Sequence, residues 1–237
     1  VTDEGPVLDS IWLTERRAST SRQPGLTREQ IVEAAVAVLD ADGMQALSMR
    51  KLAARLDVAP MSLYWHVPTK DALLELALDA VSGEIELPPE DADWHDRLRA
   101  IAGGLREAVR AHPWTAQVYG VMLNAGPEAM RVYDAFAGAL EDSPLPREEI
   151  APAAGVLNNF VYGFIVNEMK WRQRVAAHGK TMDEVNAEVT ARFTAAYGDR
   201  FPRISRYLGL TDAVDPDELF EYGLARILRG LAAEDPG

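Results

Sequence analysis

The chain has 237 residues, 48% of them hydrophobic, with 24 Lys/Arg against 37 Asp/Glu and a formal net charge of −13. This length and apolar share suit one large domain or two small ones with a proper core, and they exclude a disordered chain. The absence of cysteine excludes disulfides, a thiolate metal site and a cysteine nucleophile, and it suits a reducing, cytoplasmic setting.

Uninterrupted apolar runs such as residues 160–166 are too short to span a bilayer, and the N-terminus lacks the apolar core of a signal peptide. No membrane is expected as a partner. The charge is uneven along the chain. Residues 1–9 carry three acids and no base, residues 10–70 eight Lys/Arg against six Asp/Glu, and residues 71–237 sixteen against twenty-eight. Nearly all the acidity lies outside 10–70, which leaves that segment able to approach phosphates.

Residues 1–25 show no sustained period but hold Arg16, Arg17, Arg22 and Pro24-Gly25. They read as a flexible arm, either lying on DNA phosphates or in a minor groove, or simply solvated. Ile11 and Trp12 are out of place in a pure tail and point to partial packing on the body. Thr27, with Gln30 three residues on, forms a capping box. Ile31, Ala34, Ala35, Val38 and Leu39 then mark one helix face, and Gly43 supplies the stop.

Ser48 caps a second, short helix with Leu52, Ala53 and Leu56 inward. The break at Leu56-Asp57-Val58 leads to Pro60, which suits the first turn of a third helix. Two helices joined this way form a helix-turn-helix, whose second helix can enter the DNA major groove. Thr69 caps a fourth helix with Leu73, Leu74, Ala77, Leu78 and Val81 buried. Leu87-Pro88-Pro89 ends or kinks it, and a domain boundary falls near there.

The remainder reads as helical. Trp94, Leu98, Ile101, Leu105 and Val109 mark a helix ended by His112-Pro113, and a shorter segment runs from Trp114 to about Leu123. Pro127 opens a helix with Met130, Tyr133, Phe136, Ala137 and Leu140 inward. From Glu148 to about Arg174 the pattern is apolar nearly all round through Val166, which predicts burial on every side and hence a partner subunit over one face. A more polar helix spans Thr181–Tyr197, and Asp215 with Glu218 caps a last one carrying Leu219, Phe220, Leu224, Ile227, Leu228 and Leu231.

The three-helix unit, the run LYWHVPTKDALLELAL at residues 63–78 and the helical remainder together resemble the TetR family of bacterial repressors. The likeness is most specific over about residues 26–80. Leu63-Tyr64-Trp65-His66-Val67 followed by Lys70 is especially similar to the tetracycline-repressor branch, and the long arm is like that of many actinobacterial members. The resemblance implies an all-α fold: an arm at 1–25, a three-helix helix-turn-helix DNA-binding domain at 26–72, and a helical-bundle ligand-binding and dimerisation domain at 73–237.

It also implies roles. The third helix would lie in the major groove of a palindromic operator in double-stranded DNA, with Pro60, Met61 and Ser62 at its base-facing start. Arg50 would meet a base or phosphate, and Ser48, Tyr64, His66 and Lys70 phosphates, with Thr27 in the same DNA-facing set. Arg50 is the one strong guanine reader available, and Met61 suits a thymine methyl. Trp65 and Leu63 read as core packing of the small domain. Tyr64 as surface packing, His66 as a neutral cap and Arg50 paired to a local acid are the structural alternatives.

For the ligand side, Asn158, Asn159, Asn167 and Glu168 interrupt an apolar helix, and convergent polar groups in an apolar cavity are what a ligand site needs. Trp114, Tyr119, Met122, Asn124, Met130, Phe160, Phe164 and Trp171 would complete the lining. Asparagines bonding across a dimer interface and Glu168 pairing with Arg172 explain the same residues without a ligand. Where tetracycline repressors hold magnesium, the nearest positions here are Tyr119, Asn159 and Asn167, and His95, His112 and His178 show no metal spacing. The expected inducer is a small, partly apolar molecule other than a tetracycline–magnesium complex, with no metal or cofactor resident.

An enzyme is not expected: there is no phosphate-binding glycine loop, no G-x-S-x-G, no H-E-x-x-H and no catalytic set. Asp91/Asp93 and Asp215/Asp217/Glu218 are helix-start acids favoured by the macrodipole. The expectation is a homodimeric repressor released by its inducer, with an activator of the same family or a helical interaction protein that never touches DNA as the alternatives.

Overall fold

A computed structural model describes residues 10–13, 26–119, 121–211 and 215–232. The expected basic residues of the arm, Arg16, Arg17 and Arg22, lie outside the described residues. The described residues form ten α-helices and one 3-10 turn, with no strand. The chain divides into two compact units, 1–143 and 144–237.

The first unit holds α1 (Arg28–Asp42), α2 (Met49–Arg55), α3 (Pro60–Tyr64), α4 (Lys70–Gly83), α5 (Trp94–Ala111), the 3-10 turn Pro113–Gln117 and α6 (Pro127–Glu141). Its helix starts follow the sequence. Thr27 and Gln30 make the reciprocal capping box, Ser48 Oγ accepts the Lys51 N–H, and Thr69 Oγ1 accepts the Ala72 N–H. The turn between α2 and α3 places Asp57 at φ 54°, a left-handed conformation that a short polar residue tolerates better than a branched one. Ile31, Ala35, Leu39, Leu52, Leu63, Leu73, Ala77 and Leu78 are almost completely buried and form one core.

Two expectations change here. Residues 114–119 and 121–123 form only the short 3-10 turn followed by hydrogen-bonded turns, consistent with the poor geometry that limits 3-10 runs. On α6 the buried residues are Ala129, Val132, Ala139 and Leu140, whereas Met130 and Tyr133 are 43% and 38% exposed. Leu140 is buried and Phe136 packs on the core as the period predicts, Ala137 is exposed, and Ala129, Val132 and Ala139 are buried in place of the expected Met130 and Tyr133.

The packing of α6 on α4 rests on reciprocal capping. Asp79 of α4, 5% exposed, accepts the backbone N–H groups of Glu128 (3.0 Å) and Ala129 (2.9 Å) at the start of α6. Arg131 of α6 donates in return to the carbonyls of Ile85 (3.0 Å), Ser82 and Gly83 (both 3.4 Å) at the end of α4. Each helix thereby satisfies groups the other leaves unpaired at its terminus. Gly126 makes room: a Cβ there would lie 2.2 Å from the Asp79 carboxylate carbon. Burial raises the Asp79 carboxyl above its usual range, against the lowering effect of the two N–H donors.

His112 ties the same unit together elsewhere. Its Nδ1 lies 2.8 Å from Asp40 Oδ1 of α1 and its Nε2 2.9 Å from Glu84 Oε2 just past α4. Trp114 Nε1 also donates to Asp40 Oδ1, at 2.9 Å. Burial alone would favour the neutral ring, but the two carboxylates outweigh it and raise the pKa above 6.5.

The second unit holds α7 (Arg147–Ala177), α8 (Met182–Tyr197), α9 (Pro202–Thr211) and α10 (Pro216–Ala232). Helix α9 was not anticipated, because residues 202–211 alternate too many polar groups to show a buried stripe. Phe220 of α10 packs on Phe160 and Phe164 of α7, with ring centroids 5.7 and 5.1 Å apart. Gly223 allows this contact, since a Cβ there would come within 2.5 Å of the Phe160 ring.

Helix α7 is less covered than its all-round apolar pattern predicts. Val156 is 52% exposed, and Asn158, Asn159, Gly163 and Asn167 are exposed too. By length and composition α7 could cross a bilayer, with a mean hydropathy of 1.2 over 18 residues, of which 22% are buried. Its apolar residues are punctuated by Asn158, Asn159 and Asn167, so its uninterrupted apolar runs stay short.

The unit-one contacts carry two expected outcomes. Asp79→Ala, which orphans two N–H groups, should cost about 1–3 kcal/mol in urea unfolding, Gly126→Ala a similar amount, and Asp79→Asn less because it keeps an acceptor. A raised histidine pKa contributes stability that is complete below about pH 6.5 and is lost as pH rises through the folded-state value. The stability difference between the unaltered protein and His112→Gln should therefore be about 1–2 kcal/mol at pH 6 and shrink toward pH 9. A difference that does not change with pH would mean that His112 is not charged in the folded protein.

Candidate nucleic-acid interface

The short α3 starts with Pro60 at its first position, preceded by Ala59 without a side-chain cap. Its inner side is fixed by Leu63 and, just beyond, Val67, both 0% exposed. The opposite side carries Pro60, Met61, Tyr64 and Trp65, at spacings that share one helix face. Met61 is 66% exposed, Tyr64 45% and Trp65 63%. Trp65 is therefore not the core residue expected from the sequence: Leu63 and Val67 already fill that position, and the indole is left on the outer face with Tyr64.

The other expected DNA-facing residues sit around this face in different states. Arg50 on α2 is exposed. Ser48 and Thr27 use their side-chain oxygens as helix caps, and the Thr27 hydroxyl also bonds the Glu29 carboxylate. Ser62 is half-buried. Lys70, the first residue of α4, donates from Nζ to the Met44 carbonyl at 3.4 Å, which ties α4 to the α1–α2 turn. His66 is half-buried, and its Nε2 is covered and has no hydrogen-bond partner among the described residues. A phosphate contact would have to use its other ring nitrogen or follow a ring rotation. The His66 carbonyl accepts from Arg28 Nη2 at 3.2 Å, a brace on the end of α3 that sequence reasoning did not find.

The segment that carries the interface is close to neutral overall. Residues 26–70 hold five Lys/Arg and five Asp/Glu, and the exposed face of α3 carries no formal charge.

The expected ligand-lining residues divide between the two units. In the first, Trp114 is 2% exposed and bonded to Asp40, so it belongs to the core. Tyr119 and Met122 are half-buried against the same core, and burial pushes the Tyr119 phenol up, with Tyr133 adding to the shift. Asn124 Nδ2 donates to Ser82 Oγ at 3.2 Å, while its Oδ1 is buried without a partner among the described residues. Met130 is exposed. In the second unit, Phe160 and Phe164 pack on Phe220, Trp171 is half-buried, and Asn159 and Asn167 are exposed. Glu168 is 9% exposed and pairs with Arg172 at 3.1 Å, one turn along α7. Among the described residues no group of three His, Cys, Asp or Glu could hold a metal ion.

Comparison with known proteins covers both units. Residues 31–77 match the family described as bacterial regulatory proteins, tetR family, and residues 87–234 the tetracyclin repressor-like C-terminal domain. An HTH-type transcriptional regulator of Saccharopolyspora erythraea is 36% identical over 211 residues, 84% of this chain and 89% of that protein. The HTH-type transcriptional repressor DrrR1 of Streptomyces coeruleorubidus is 34% identical over 232 residues, 97% of this chain and 86% of that protein. The crystal structure of the Streptomyces coelicolor TetR family protein ActR in complex with actinorhodin superposes with a TM-score of 0.76 at 30% identity, covering 88% of this chain and 96% of that one. A buffered helix-turn-helix with an outward aromatic face, followed by an all-helical body matching the same family, leaves one conclusion: this chain is a member of the TetR family of DNA-binding transcriptional regulators and not an enzyme.

Proposed function

We propose that the protein is a homodimeric repressor that binds a palindromic DNA operator and is released by a small, partly apolar inducer. The observation that carries this reading is the outward face of α3, where Met61, Tyr64 and Trp65 stand exposed although apolar groups of that size normally go inside. A phenol, an indole and a thioether on one short helix suit sugar, phosphate and thymine-methyl contacts in a major groove. Arg50 supplies base reading; Ser48, Tyr64, His66 and Lys70 hold phosphates; Thr27, Pro60, Met61 and Ser62 complete the contact set. The helix-turn-helix domain is taken as 26–72 and the ligand-binding and dimerisation domain as 73–237.

Repression as the direction of control is supported by DrrR1, named a repressor, at 34% identity. Small-molecule response is supported by ActR, solved with actinorhodin. The inducer itself is a different question, and Tyr119, Asn159 and Asn167 argue against a tetracycline–magnesium complex, since none is a comparable metal ligand. For α7, exposed Val156 and Gly163 beside Asn158 and Asn159 suit a second copy better than lipid, because a bilayer would strand the amides. A dimer of this kind, working in the cytoplasm, would set its two α3 helices about 34–36 Å apart in successive major grooves. The inducer would act by favouring a dimer of another spacing, which requires unequal affinity for the two states.

Selection of bound sequences from a random duplex pool tests the reading, with a palindrome of half-sites about one turn apart as the expected product. Against that duplex, Tyr64→Ala, Trp65→Ala and Lys70→Ala should each weaken binding by about 1–2 kcal/mol for all sequences, and Arg50→Ala should also relax base preference. Full affinity in all four folded variants would overturn the residue assignment. In sedimentation the unaltered chain should run as a dimer and Gly163→Arg as a monomer.

A further inference from the structure

Glu75 is the anomaly of α4. It stands among Leu73, Leu74, Leu76, Ala77 and Leu78 and is 4% exposed, where an unpaired carboxylate would be costly. Its donors come from far back in the chain. Ser10 Oγ donates to Glu75 Oε2 at 2.5 Å, and the Ile11 N–H donates to the same oxygen at 3.2 Å. The Trp12 N–H in turn donates to Ser10 Oγ (3.2 Å) and the Leu13 N–H to the Ser10 carbonyl (3.2 Å), which folds Ser10–Leu13 into a one-turn hook. Ser10 is 2% exposed, and Ile11 and Trp12 pack on the core. Trp12 lines one cavity together with Val32 and Val36 of α1 and Leu76 and Ala80 of α4, along the seam between those helices.

We infer that Ser10–Leu13 is a brace that fixes the helix-turn-helix against α4, and that DNA affinity depends on this brace although none of its residues touches DNA. Helix α1 packs on both α2 and α4, so a clip across the α1–α4 seam sets the direction in which α3 points relative to Lys70 at the head of α4. Ser10, Trp12 and Glu75 are positioning residues. The clip is also imperfect: Trp12 Nε1 is buried with no acceptor among the described residues, a defect that lowers the free energy holding the hook in place.

The inference rests on the DNA-binding reading above, and its test separates the two. With the full chain and the duplex recovered by selection, Ser10→Ala and Trp12→Ala should each weaken binding about tenfold, the loss expected from one misplaced buried contact. The slope of log affinity against log salt should stay unchanged, because no phosphate contact is removed. Ser10→Thr should restore affinity through its hydroxyl, and Trp12→Phe, which keeps a ring and deletes the orphan donor, should bind at least as tightly as the unaltered chain. A role in stability alone would lower the melting temperature and leave affinity intact well below it. Folded Ser10→Ala and Trp12→Ala that bind within twofold of the unaltered chain overturn the brace, and so does a slope that falls by about one, which marks a direct phosphate contact. Hydrogen exchange on the DNA-free proteins decides independently of any duplex: faster exchange in α1 and α4 of both variants supports the brace, and unchanged exchange overturns it even if the unaltered chain itself retains no DNA.

Discussion

A carboxylate inside a protein must find donors or give up its charge, and α4 meets this demand twice on one buried surface. Glu75 takes its donors from Ser10 and Ile11, and Asp79 takes its donors from the first turn of α6. A helix of plain leucines could slide or rotate against its neighbours at little cost. Two buried acids with fixed partners remove that freedom, because any shift breaks charge-assisted hydrogen bonds in a poorly solvated place. The unit from the hook to α6 is therefore organised around α4 more than around the helix-turn-helix that it supports.

The helix-turn-helix gains its shape from this support. Helices α2 and α3 have seven and five residues, too short to persist without tertiary packing. Their stability comes from Leu52, Leu63 and Val67, which face the core shared with α1 and α4. Arg28 on the His66 carbonyl and Lys70 on the Met44 carbonyl hold the two loops that flank them. The outward side chains of α3 are thus free to be chosen for contact, since none is needed for folding.

Local chemistry was legible in the sequence, and long-range chemistry was not. Thr27, Ser48 and Thr69 cap their helices as their spacing implies, and Asp215 caps α10 through the Asp217 N–H. These signals lie within three residues of their targets. Ile11 and Trp12 are visibly misplaced in a tail, yet the anchor Glu75 lies 65 residues from Ser10 and 64 from Ile11, and nothing local announces it. Trp65 was misread because size and apolarity favour the core, and only the packing of Leu63 and Val67 shows that the place is taken. The α6 face was legible only in part, at Phe136 and Leu140, for a related reason: the capping of its first turn by Asp79, which depends on Gly126, decides its rotation, and a hydrophobic period cannot see a hydrogen bond.

The uncharged outer face of α3 has a consequence for how the protein behaves among bulk chromosomal DNA. Random duplex attracts proteins almost wholly through released counterions, and a segment 26–70 with as many acids as bases gathers less of that attraction than a basic domain would. On the proposed DNA-binding reading, occupancy of a true site is then set more by surface fit than by charge.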